Sequence, residues 1–148
     1  MEQTIQNQKT DTSNLEASYQ PKILIVEDEN FLANVLTLRF KKENFEVIQA
    51  FDGVEALQKL KEIRPDLILL DLILPKKNGF EVLKEIENDP QIRSIPVLIV
   101  SNLGQESDVS KGKALGAIDY YVKAHLSIDE LVSKVKNLLS SNALAIDN

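Results

Sequence analysis

Ile23-Leu24-Ile25-Val26 runs directly into Glu27-Asp28-Glu29, four apolar residues followed by three carboxylates. An apolar run of this length, without polar residues at alternate positions, is the pattern of a strand covered on both faces, as in a parallel sheet. Three other strand-like runs also end in a polar residue: Leu67-Leu70 meets Asp71, Val97-Val100 meets Ser101, and Ile118-Val122 meets Lys123. If helices separate these runs, the strands are parallel. Their carboxyl ends then share one edge, where open α/β sheets hold their ligands. Three carboxylates, a hydroxyl and an ammonium converge there.

The intervening segments do read as helices. Asn30 to Lys42 places Leu32, Val35, Leu36, Arg39 and Phe40 along one side. Phe45-Gln49 is a second strand. Asp52-Gly53-Val54-Glu55 resembles a capping box and opens a helix that reaches Ile63, where Arg64-Pro65 stops it. Asp66-Leu70 is the third strand. Pro75 and Gly79 bracket a loop, and Phe80, Leu83 and Ile86 line the helix after it, which ends near Asn88-Asp89-Pro90. Pro96 opens the fourth strand. A weaker helix spans Glu106 to Leu115, with Gly116 as its left-handed cap. Gly112 inside it costs about 1 kcal/mol relative to Ala, which reads either as a weak point that eases rearrangement or as a neutral surface position. Ser127-Ile128-Asp129-Glu130 caps a final helix carrying Leu131, Val132, Val135, Leu138 and Leu139. Five strands and five helices make a doubly wound α/β domain over residues 21–140. Polar residues 1–20 are expected as a disordered arm and residues 141–148 as a short tail.

Composition narrows the chemistry. The chain of 148 residues is 43% apolar and 27% charged, typical of a soluble globular protein. No apolar window is long enough for a membrane span, and the first residues lack a secretory core, so cytoplasm is the expected location and membrane insertion is not expected. With no cysteine and one histidine, thiolate and His-rich metal sites are excluded, and any metal must take oxygen ligands. A net charge of -6 and the lack of a Lys/Arg cluster argue against direct nucleic-acid binding.

Glu27, Asp28 and Asp71 at one strand edge repel one another unless a cation neutralises them, and hard carboxylate ligands favour Mg²⁺ or Mn²⁺. Each acid alone reads more readily as a solvated loop residue or helix cap; the three together point to a metal. A metal among carboxylates is most useful when phosphate is the other ligand. Asp71, at the mouth of the central strand, can act as a nucleophile on phosphorus and form an aspartyl phosphate. Lys123 would offset the developing charge and Ser101 would donate a hydrogen bond to a phosphoryl oxygen.

Taken with Pro65-Asp66-Leu67-Ile68-Leu69-Leu70-Asp71-Leu72-Ile73-Leu74-Pro75, Gly79 and Gly116-Ala117-Ile118-Asp119-Tyr120-Tyr121-Val122-Lys123, the opening motif resembles the signature blocks of bacterial response-regulator receiver domains, stand-alone and chemotaxis-regulator-like. The resemblance implies a flavodoxin-like sheet of order 2-1-3-4-5. It implies Asp71 as phosphoacceptor, with Mg²⁺ held by Glu27, Asp28, Asp71 and the backbone carbonyl of Ile73. Glu27 stands where the family more often has Asp. The resemblance also makes Ser101 and Tyr120 the switch pair. Ser101 moves toward the phosphoryl group, Tyr120 turns inward, and the face built by the fourth helix, fifth strand and fifth helix changes for a partner.

The implied partners are a sensor histidine kinase and a downstream protein or histidine phosphotransfer domain, and a homodimer on phosphorylation is left open. No DNA-binding module is visible, and the polar end after Leu139 reads as a terminus. The expected function is a single-domain response regulator that assists its own phosphorylation without being an enzyme. The alternative is a degenerate receiver that binds its partner regardless of phosphorylation. An aspartate-nucleophile phosphatase would need a second acid at position 73, where Ile stands.

Three departures from the family pattern carry expectations. Lys123 is followed by Ala124 rather than proline, so a trans bond is expected, because a cis bond there costs about 3 to 4 kcal/mol. Asn102 stands where the family usually has alanine. Apolar Ile73 and Leu103 occupy positions that flank the attacking water, which implies slow loss of the phosphoryl group.

Overall fold

The structure, a computed structural model, describes residues 20–147. Its strands are β1 (Lys22–Val26), β2 (Glu46–Ala50), β3 (Leu67–Leu70), β4 (Val97–Ser101) and β5 (Asp119–Val122). Its α-helices are α1 (Asn30–Lys42), α2 (Gly53–Glu62), α3 (Gly79–Asn88), α4 (Glu106–Ala114) and α5 (Ile128–Asp147). Each strand pairing is parallel, and the order is β2-β1-β3-β4-β5. Residues 1–19, nearly all of the expected disordered arm, lie outside the described residues.

Alternation along the strands divides the core into two layers. Ile23 and Ile25, Leu67 and Leu69, and Leu98 and Val100 meet Leu36 and Phe40 of α1 and Leu131, Val132 and Val135 of α5. Leu24 and Val26, Ile68 and Leu70, and Val97 and Ile99 turn the other way, onto Ala56 and Leu60 of α2 and Val82, Leu83 and Ile86 of α3. Helices on both faces explain why the strands are apolar throughout. Phe40 is fully buried and packs edge-on against Phe45, with ring centroids 5.2 Å apart at 81°.

The capping signals are real. The Asp52 carboxylate accepts from the Glu55 N–H at 2.7 Å, and the Glu55 carboxylate in turn accepts from the Phe51 N–H. Asn78 caps α3 through the Glu81 N–H at 2.9 Å, and Ser127 caps α5 through the Glu130 N–H at 3.1 Å. Gly116 closes α4 with φ of +107°, a conformation that glycine adopts without strain.

Several expectations need correction. The last helix continues past Ser140 to Asp147, through the stretch expected as a tail. Ser140-Ser141-Asn142 is polar but holds no glycine or proline, and Ala143, Leu144 and Ala145 favour helix. Arg39 is not part of the inward stripe of α1. It lies partly exposed and pairs with Asp129 at 2.6 Å and Glu43 at 3.6 Å, while Ala33 takes the buried place. Gly112 is not a surface position: it is the buried residue of α4, and a Cβ there would lie 2.6 Å from Ile99 Cδ1 and 3.3 Å from the Tyr120 ring. Its hydrogen lets α4 settle on the sheet. No helix among the described residues is long and apolar enough to cross a membrane.

Candidate functional site

Backbone ladders extend past the strand ends and fix the two buried acids. The Glu27 N–H donates to the Ala50 carbonyl and the Asp71 N–H to the Val26 carbonyl, each at 3.0 Å. Glu27 and Asp71 are both 4% exposed, whereas Asp28 stands open to solvent. Carboxylate oxygens of Glu27, Asp28 and Asp71 all lie within 4.8 Å of one another. From the end of β5, Lys123 reaches across with its ammonium 2.6 Å from Glu27 Oε1 and 2.9 Å from Asp71 Oδ2. The other oxygen of each buried acid accepts a backbone N–H, Glu29 onto Glu27 Oε2 at 3.1 Å and Ile73 onto Asp71 Oδ1 at 3.2 Å.

This geometry sets the charge states. Burial pushes the Glu27 carboxyl up to about 6, against the Lys123 hydrogen bond and with the help of the Asp71 charge. Burial alone would pull the Lys123 ammonium down, but the Glu27 and Asp71 carboxylates outweigh it and hold it above its ordinary value. The cleft is therefore negative and held together by one ammonium.

The donor set fits a hard cation. The three carboxylates can each bring an oxygen within 4.8 Å of the others, every side-chain ligand offered is oxygen, and oxygens on opposite sides of Mg²⁺ span about 4.2 Å. Ile73, 52% exposed, stands two residues after Asp71 in the same loop. A Cβ at Gly79 would lie 2.3 Å from the Asp71 carbonyl, so α3 starts directly against this loop. Pro75 and Gly79 marked the loop in the sequence, but that contact depends on tertiary placement and was not legible.

Ser101, fully buried at the end of β4, accepts the Leu103 N–H at 3.4 Å. Tyr120 is 8% exposed, and its hydroxyl donates to the Leu103 carbonyl. The aromatic expected to turn inward on phosphorylation is thus already inward. Asn102 is exposed beside Ser101, and Leu103 is half-buried. The Lys123–Ala124 bond is trans, and Lys123–His125 forms a single 3₁₀ turn that leaves His125 exposed.

Known proteins resemble this chain in sequence and fold. The response regulator receiver domain family matches residues 23–136. The chain is 39% identical over 119 residues to the phosphate regulon transcriptional regulatory protein PhoB of Rhizobium meliloti, covering 80% of this chain and 52% of that protein. It is 38% identical over 124 residues to the alkaline phosphatase synthesis transcriptional regulatory protein PhoP of Bacillus subtilis, covering 84% and 50%. The chain thus spans about half the length of these curated relatives. Among solved structures, the phosphorylated cyanobacterial phytochrome response regulator RcpA superposes with a TM-score of 0.71 at 35% identity, covering 81% of this chain and 91% of that one. The receiver domain of the Francisella response regulator 1452 gives 0.77 at 31% identity, covering 83% and 99%. The acidic cluster at the carboxyl edge of a 2-1-3-4-5 sheet and these matches agree: the chain belongs to the response regulator receiver domain family of two-component systems.

Proposed function

We propose that Asp71 accepts a phosphoryl group from the phosphohistidine of a sensor histidine kinase, with Mg²⁺ or Mn²⁺ held by Glu27, Asp28, Asp71 and the Ile73 carbonyl. The observation that carries this reading is the Lys123 ammonium placed between Glu27 and Asp71 at the edge of the sheet. A bound Mg²⁺ supplies positive charge that offsets the repulsion between the incoming phosphoryl oxygens and the carboxylates.

In the transfer, an Asp71 carboxylate oxygen attacks phosphorus, and the P–N bond breaks with its electron pair staying on the donor imidazole. Lys123 keeps its proton and pairs with a phosphoryl oxygen. The Ser101 hydroxyl, which already accepts from Leu103, is free to turn its own hydrogen toward that group. The domain is a stoichiometric acceptor, not a turnover enzyme, since Ile73 offers no acid for a phosphatase cycle.

The readout is the α4-β5-α5 face, presented to a downstream protein, a histidine phosphotransfer domain or a second copy. α4 is suited to move because it buries only Gly112. A second reading, a phosphorylation-independent binding module, is favoured by one observation, the inward Tyr120 bonded to the Leu103 carbonyl. Intact mass after incubation with acetyl phosphate distinguishes the two. The first reading expects a Mg²⁺-dependent gain of one phosphoryl group, lost with EDTA and in Asp71→Asn; no gain under any condition favours the second.

A further inference from the structure

The amino end of α2 is built against the loop that carries Ile73, although no residue of α2 belongs to the acidic cluster. A Cβ at Gly53 would stand 2.1 Å from the Lys77 carbonyl oxygen and 2.8 Å from its carbonyl carbon. Both are backbone atoms, so the loop itself would have to move. The Gly53 N–H donates to the Pro75 carbonyl at 3.4 Å, and the Asp52 carboxylate pairs with the Lys76 ammonium at 3.4 Å. Between these contacts the chain makes a tight turn, with the Lys77 N–H on the Pro75 carbonyl at 2.8 Å and Lys76 at φ of +69°. A non-glycine residue at positive φ persists only where its surroundings impose it.

At its other end the same loop is pinned by the Gly79 N–H on the Leu72 carbonyl at 2.9 Å. Ile73 lies between the two pins, with its N–H on Asp71 Oδ1. The loop has little freedom to adjust, and its far support comes from Asp52 and Gly53 at the amino end of α2.

From this geometry we infer that Asp52 and Gly53 are positioning residues for the metal site: the α2 terminus clamps Pro75-Lys76-Lys77 and so fixes the Ile73 backbone beside Asp71. This rests on the reading of Glu27, Asp28, Asp71 and Ile73 as a Mg²⁺ site. Outer partners that orient ligands commonly matter for metal affinity by tenfold or more, and the clamp acts at the same remove. Asp52 also caps α2, and its pair with Lys76 is weak because the lysine side chain is largely exposed to solvent. Gly53 therefore carries most of the effect.

The test uses the full chain and three substitutions. Gly53→Ala pushes the loop. Asp52→Ser keeps a capping oxygen but removes the partner of Lys76. Ala56→Gly weakens α2 from inside its buried face without touching the loop. Mg²⁺ affinity is measured by calorimetry, and amide exchange at Ile73 and Lys77 is measured in EDTA. The expected result is Mg²⁺ binding weakened about tenfold or more in Gly53→Ala and about two- to fivefold in Asp52→Ser. Exchange at Ile73 should be faster in Gly53→Ala, and affinity should be unchanged in Ala56→Gly. Wild-type affinity in Gly53→Ala, or equal loss in Ala56→Gly, would overturn the inference. If Gly53→Ala does not fold, Asp52→Ser decides, and wild-type affinity there overturns it. A wild type that binds no Mg²⁺ refutes the metal reading instead, and Ile73 exchange in EDTA then decides the clamp alone.

Discussion

Replacing Lys123 with Met should expose how strongly the acidic cleft depends on one ammonium. Methionine keeps most of the side-chain volume but leaves Glu27 and Asp71, each 4% exposed, facing each other without a cation. Their carboxylate oxygens lie within 4.8 Å, and at an effective dielectric of about 20 two such charges repel by about 3.5 kcal/mol. The chain has one way to relieve this: Glu27, already raised to about 6 by burial, takes up a proton. A carboxyl raised on folding favours the folded state at low pH, and that contribution disappears as pH rises from its unfolded value of 4.5 through about 6. Losing the Lys123 hydrogen bond raises Glu27 further, so the penalty grows with pH. The expected deficit relative to wild type in EDTA is about 3 kcal/mol at pH 8 and about 1 kcal/mol at pH 5.5. Saturating Mg²⁺ should reduce it at pH 8, because the metal restores positive charge between the same oxygens. Urea unfolding at both pH values, with and without Mg²⁺, measures all four quantities. A deficit that is independent of pH, or below about 1 kcal/mol at pH 8 in EDTA, would refute the electrostatic account.

Tyr120→Phe removes the hydroxyl that donates to the Leu103 carbonyl and should destabilise the fold by about 1 kcal/mol in urea unfolding, while phosphoryl uptake from acetyl phosphate stays at the wild-type level. Loss of uptake would mean that the phenol acts in the transfer and not in the readout. Leu103→Glu places a carboxylate able to orient water beside the phosphoryl group and should shorten the phosphoryl lifetime, followed by mass after donor removal. An unchanged decay would contradict the view that apolar Ile73 and Leu103 slow hydrolysis.

The parts of the fold legible in the sequence were those with a local signature. Ile23-Val26 and Leu67-Leu70 read as strands because an apolar run and a polar stop coincide, and Asp52 and Ser127 mark helix starts because a cap is a contact across three residues. The same logic brought Glu27, Asp28, Asp71, Ser101 and Lys123 to one edge, where Glu27, Asp28, Asp71 and Lys123 now meet within a few ångströms. The strand order required the family resemblance, because periodicity does not say which strands are neighbours.

What remained hidden depends on distant packing. Gly112 reads as a weak spot in a helix, and only the approach of Ile99 and Tyr120 shows why a larger residue does not fit. Gly53 reads as part of a cap until Lys77 arrives from another segment. Arg39 fits the helical stripe by spacing, but its pair on α5 is 90 residues away in the chain. The inward Tyr120 is likewise a tertiary fact, set by the carbonyl of Leu103 and the seat left by Gly112.

The central claim is that the phosphoryl group resides on the Asp71 carboxylate. Treating the phosphorylated chain with hydroxylamine and mapping the product by peptide mass tests this directly, since an acyl phosphate yields a hydroxamate and a phosphate ester does not. The account predicts a hydroxamate at Asp71 and none in Asp71→Asn; a hydroxylamine-stable phosphate on Ser101 or another hydroxyl would contradict it.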